Sequence, residues 1–100
     1  MHLKRHVVEF TKFAGKQIDR LPRPIQETVF FWKDAVERIG LPEVRKAKGY
    51  HDEPLKGQRK GERSVRLTKA YRLIYREEDQ GEIVIIAVQE VNKHDYRSKI

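Results

Sequence analysis

Residues 63 to 76 read Arg63-Ser64-Val65-Arg66-Leu67-Thr68-Lys69-Ala70-Tyr71-Arg72-Leu73-Ile74-Tyr75-Arg76, and the fold turns on this stretch. Two strand-like segments, Arg63 to Leu67 and Tyr71 to Arg76, flank the three-residue gap Thr68-Lys69-Ala70, a spacing that suits a hairpin. With Leu67 opposite Tyr71, Val65 pairs with Leu73 on one face and Arg66 with Arg72 on the other. A one-residue slip would exchange the two faces, so the register carries the functional reading. Guanidiniums placed side by side repel each other, and a bound phosphate is a natural way to relieve that repulsion. The Val65/Leu73 side is then the core side, and the arginine side is open.

Downstream, Ile83 to Val91 supplies a third strand, and its first six residues are apolar on both faces, as expected at the centre of a sheet. Glu77 to Glu82 is expected to be the connecting loop. Upstream, Leu3 to Phe10 alternates well enough for a first strand, with Val8 and Phe10 on one side. Thr11 is a fitting N-cap for a helix carrying Phe13, Ala14, Ile18 and Leu21. Leu21-Pro22-Arg23-Pro24 must interrupt it, because proline disfavours a helical residue before it. A second helix starts near Pro24, with Ile25, Val29, Trp32, Val36 and Ile39 as its core stripe and Gly40 as its cap. Phe30 lies off that stripe and is a candidate partner contact. Leu41 to Glu62 reads as a long loop. The fold class is therefore α+β: strand, helix, helix, then a three-stranded antiparallel meander, with the helices on one face of the sheet and residues 1–100 as one domain.

Composition narrows the function classes. Zero cysteines exclude disulfides and thiol nucleophiles, and the four scattered histidines form no metal motif. The longest apolar run is six residues, Ile83 to Val88, so no membrane partner is expected. The N-terminus lacks the apolar stretch of a secretory signal, which points to the cytoplasm. The net charge of +7 is localised: Arg45 to Arg76 holds eleven Lys/Arg against Asp52, Glu53 and Glu62, a local +8. Such a segment favours a polyanion, and nucleic acid first.

Two further clusters bear chemistry. Pro54-Leu55-Lys56-Gly57-Gln58-Arg59-Lys60-Gly61 sets three cations around two glycines just before the arginine strand, Lys56 ahead of Gly57 and Arg59 and Lys60 between Gly57 and Gly61, without the Lys-Ser or Lys-Thr of a P-loop. Asn92-Lys93-His94-Asp95-Tyr96 follows the last strand with a lysine, a histidine and a phenol. Histidine moves protons near neutrality, and tyrosine stacks on bases.

Together, His51-Asp52-Glu53-Pro54-Leu55-Lys56-Gly57, Arg63-Ser64-Val65-Arg66-Leu67 and Tyr71-Arg72-Leu73-Ile74-Tyr75 resemble the signature of the RelE/ParE superfamily of type II toxins, in its RelE, YoeB and HigB form. The resemblance implies a RelE-like microbial RNase fold and a ribosome-dependent mRNA endoribonuclease that needs no metal and no cofactor. It also implies a cognate antitoxin, with ribosome and mRNA as the other partners. Arg72 and Arg66 correspond to the strand arginines that hold the scissile phosphate, and Lys56 and Lys60 to the loop lysines. His94 takes the place of the proton-transfer residue and Tyr96 that of the stacking group, with His51 as a second histidine candidate. Arg59, Arg63 and Lys93 complete the expected RNA-binding set. The closing Asn-Lys-His-Asp-Tyr departs from the Tyr-His or His-Tyr ending of better-known members. The alternatives are a ParE-like inhibitor of DNA gyrase and a non-catalytic RNA-binding member.

Overall fold

The computed structural model describes residues 4–93. Its elements are β1 (Arg5–Phe10), α1 (Lys12–Asp19), α2 (Arg23–Ile39), α3 (Leu41–Arg45), β2 (Glu53–Pro54), β3 (Glu62–Arg66), β4 (Tyr71–Asp79) and β5 (Ile83–Lys93), with single 3-10 turns at Lys48–Tyr50 and Gly57–Arg59. The expected α+β order is present, and the five strands form one sheet in the order β1-β5-β4-β3-β2. β1 runs parallel to β5, and the remaining pairs are antiparallel. The strand with the most apolar sequence therefore sits between two neighbours.

Thr11 caps α1 as expected, its hydroxyl accepting from the Ala14 amide at 3.0 Å. Gly40 ends α2 with φ at 89°, a backbone value that favours glycine. Ala14 and Ile18 of α1 and Val29, Trp32 and Val36 of α2 bury against Val8, Val65, Leu73, Tyr75, Val84, Ile86, Val88 and Val91. The helices thus cover one face of the sheet and leave the other open. No helix among the described residues is long and apolar enough to cross a membrane.

Three expectations need correction. Leu41 to Glu62 is no structureless loop, since α3 and the short edge strand β2 lie within it, and Leu41 and Val44 join the core. The β4–β5 connection is shorter than Glu77 to Glu82, because β4 runs on to Asp79. Gly81, at φ 93°, then turns the chain, and its amide is bound by Asp79 at 3.0 Å. Ile39 is 54% exposed, because α2 ends there and the chain turns off at Gly40.

β5 also contains a bulge. Ile74 pairs with Glu90 but Tyr75 pairs with Val88, so Gln89 is the extra residue. The shift lets Val88 and Val91, three apart, both face the helices. Side chains next to and on α1 satisfy the backbone freed there: Gln17 accepts from the Val91 amide at 2.8 Å, and Thr11 donates to the Gln89 carbonyl at 3.3 Å.

Candidate nucleic-acid interface

The β3–β4 hairpin closes in the register expected, with Arg66 opposite Arg72 and Val65 opposite Leu73. The Leu67 amide donates to the Tyr71 carbonyl at 2.9 Å, and the Thr68 hydroxyl accepts from the Ala70 and Tyr71 amides at 3.2 Å each. Val65 and Leu73 are fully buried beneath the helices. Because directly paired residues share a face, Arg66 and Arg72 stand on the open one. The β4–β5 register adds Asn92 to their row.

A second row on the same face runs Glu53, Ser64, Ile74, Glu90. Ser64 and Ile74 are buried although no helix among the described residues covers them. What lies across them is the segment after β2. The Leu55 amide donates to the Glu62 carbonyl at 2.9 Å, and Gly57 and Gly61, at φ 66° and 98°, turn the chain back. Arg59 then binds Glu62 through Nε at 2.6 Å and Glu90 through a terminal nitrogen at 2.7 Å. The hydrogen bonds from Arg59 and then Asn92 hold the Glu90 carboxyl below its ordinary value, outweighing the opposing effect of burial. Lys56 and Lys60 flank this turn and are exposed.

The expected residues therefore separate into groups. Arg66 and Arg72 share the open face, with the exposed Lys56 and Lys60 on the adjoining segment. Arg59, although its side chain is 42% exposed, is bound to two carboxylates. Arg63 pairs with Tyr75, so it belongs to the helix side. There its Nε donates to Asp52 at 2.6 Å, while the Tyr75 hydroxyl donates to the other Asp52 oxygen at 2.7 Å. The Asp52 side chain is 2% exposed, and a carboxylate so enclosed holds Arg63 in a structural pair. Arg45 donates to the Tyr75 hydroxyl and to Glu77, both at 3.0 Å. Lys93 pairs with Tyr71, one residue out of step with Asn92, and leaves the sheet on the opposite face from Arg72. His51 is exposed, at φ 43°, just before the buried Asp52. His94 and Tyr96 lie outside the described residues.

Sequence reasoning passed over Glu53, Ser64, Glu90 and Asn92 on the open face. Glu53 was hidden in the segment read as loop. Glu90 and Asn92 were hidden by the bulge, which changes the alternation of β5 after Val88. The burial of both Val88 and Val91 is the trace of that change. Phe30, the candidate partner contact, is 49% exposed and lies edge-on to Phe10 at 6.0 Å. Its neighbour Phe31, 68% exposed, was not singled out and borders a shallow groove with Tyr50 and Leu67.

Comparison with known proteins places this arrangement. No curated protein matches the sequence. Among solved structures, a YoeB/ParE toxin from Agrobacterium tumefaciens superimposes with a TM-score of 0.70 at 22% identity, covering 89% of this chain and 99% of that one. YafQ from E. coli gives 0.71 at 16% identity, with 90% and 94% covered. The toxin–antitoxin complex RelBE2 from Mycobacterium tuberculosis gives 0.64 at 25% identity, with 90% and 99% covered. A sequence profile described as the ParE toxin of the type II toxin-antitoxin system, parDE, matches residues 8–92, and the chain accordingly belongs to that toxin family, within the RelE/ParE superfamily.

Proposed function

We propose that this toxin is a metal-independent endoribonuclease that cleaves mRNA on the ribosome and so arrests translation. The observation that carries the reading is the pairing of Arg66 with Arg72 on a sheet face that no helix among the described residues covers. Like charges directly opposite each other on a strand pair repel, and a phosphate held between the two guanidiniums would relieve that repulsion. In the proposed reaction a ribose 2′-oxygen bonds to the adjacent phosphorus, the bond to the 5′-oxygen breaks, and a proton passes from the 2′-hydroxyl to a base while an acid protonates the leaving oxygen. Arg72 and Arg66 stabilise the charge that builds on the phosphorane, and Lys56 and Lys60 hold the flanking backbone. His94 is assigned the proton transfer and Tyr96 base stacking, with His51 as the alternative histidine. The cytoplasm is the compartment where ribosome, mRNA and a cognate antitoxin would be met. The M. tuberculosis relative is described as a toxin–antitoxin complex, which supports an antitoxin here.

A second reading, inhibition of DNA gyrase, is favoured by the ParE description of the matching profile. Inducing the gene in bacteria and mapping mRNA 5′ ends separates the two. Cleavage within ribosome-occupied codons is the expected result; double-strand DNA breaks with intact mRNA would overturn the RNase reading and establish the other.

A further inference from the structure

The open face is less positive than its sequence suggests. Glu53, Glu62 and Glu90 all project from it, placing carboxylates on a surface read as a polyanion site. Bare carboxylates beside Arg66 and Arg72 would repel a phosphate backbone and compete for the guanidiniums. The geometry deals with two of the three. Glu62 receives Arg59 at 2.6 Å and has Arg76 at 3.8 Å. Glu90 receives Arg59 at 2.7 Å and the Asn92 amide, also at 2.7 Å. One guanidinium thus reaches from β3 to β5, across β4 at Ile74. Beside it the Ser64 hydroxyl, in a residue 1% exposed, has no hydrogen-bond partner among the described residues.

We infer that Arg59 is an internal counter-ion and not an RNA contact: by clamping Glu62 and Glu90 it removes two negative charges from the phosphate path that runs past Arg66 and Arg72. This rests on the reading of the open face as a polyanion site. Arginine suits the task because its planar fork engages two carboxylates at once, whereas a lysine ammonium is a single point of charge. Arg59 is therefore a positioning residue. Its loss takes away one positive charge and also exposes two negative ones, so its effect on binding depends on whether those carboxylates are present.

That dependence is the test. Wild type, Arg59→Gln, Glu90→Gln and the double variant are titrated at low salt with two probes, a single-stranded RNA oligonucleotide and inorganic polyphosphate. Arg59→Gln should weaken both by on the order of tenfold. Glu90→Gln should change affinity by less than about twofold when Arg59 is present, yet recover most of the loss when it is absent. Arg59→Lys should lose less than Arg59→Gln, and its charge-conserving change guards against a defect in folding. If Glu90→Gln has the same effect in both backgrounds, and Arg59→Gln lowers the salt slope by about one, Arg59 contacts phosphate directly and the inference is overturned. Coupling seen with polyphosphate but no RNA binding would sink the RNA reading and keep the counter-ion. RNA binding without coupling would do the reverse, and failure to bind either probe overturns both.

Discussion

Arg72 and Asp52 stand at opposite ends of residue-scale behaviour, one expected to matter for chemistry and the other for folding. Arg72→Ala should abolish toxicity, with single-turnover cleavage reduced by on the order of 10²-fold or more, comparable to the loss of a preorganised oxyanion donor. Arg72→Lys should restore little, since a point charge does not reproduce a two-pronged phosphate contact. Wild-type cleavage by Arg72→Ala at saturating ribosome would show that Arg72 is surface charge only. Asp52→Ala, by contrast, strands the Arg63 guanidinium and the Tyr75 hydroxyl, which both donate to it. A loss of about 2–4 kcal/mol in urea unfolding is expected, as for breaking a mostly enclosed ion pair. The contrast also explains which residues were legible. Arg66 and Arg72 could be read because hairpin spacing alone fixes their partners. Arg63, three residues earlier than Arg66, has the same composition cue but the opposite face. Its partner Asp52 lies 11 positions away in a segment without periodicity, which local reasoning does not reach.

Among the elements, the β3–β4 hairpin and the α2 stripe were readable because each is set by a local period, and Val29, Trp32 and Val36 are all fully buried. α3 and β2 were not. Five and two residues are too short to show a period, and they are held by tertiary contacts to the core and to β3. The β5 bulge belongs to the same class. It determines that Glu90 and Asn92 stand on the open face with Arg72, and its stability depends on a side chain from another element. Gln17→Ala should leave the Val91 amide without the acceptor it has at 2.8 Å, at a cost of about 1–3 kcal/mol. If the bulge relaxes as a result, cleavage or RNA binding should fall more than stability alone accounts for. Denaturant unfolding read beside RNA titration at a temperature where the variant stays folded checks this. An unchanged midpoint would mean that water replaces Gln17 and that the bulge is fixed by the sheet.

For the molecule as a whole, pH separates the charge network on the open face from the buried one under the helices. Arg59 and Asn92 hold Glu90 below the ordinary 4.5. Burial of Glu37 acts upward but is outweighed by the Val8 amide and Lys33, so it too is lowered from 4.5. For both groups the unfolded chain takes up protons first as pH falls, so their contribution is complete above the ordinary value and is lost as pH drops through the folded one. Stability should therefore decline below about pH 4.5, and Arg59→Gln should shallow that decline because Glu90 then titrates more nearly as it does in the unfolded chain. Tyr75 behaves in the opposite sense. Burial, followed by its hydrogen bond to Asp52, raises the phenol well above its ordinary 10.0. The native state keeps this proton after the unfolded state has lost it, so the contribution is whole below pH 10.0 and is lost as pH rises beyond it. Urea midpoints measured from about pH 3 to pH 11 should trace a plateau falling at both ends. Tyr75→Phe should lower the plateau by about 1–3 kcal/mol, since the Asp52 carboxylate loses a donor, while removing the Tyr75 share of the alkaline fall. Tyr75→Phe losing stability above pH 10 as steeply as wild type would overturn this assignment. The buried Asp52–Tyr75 pair would then make no measurable contribution to the alkaline fall.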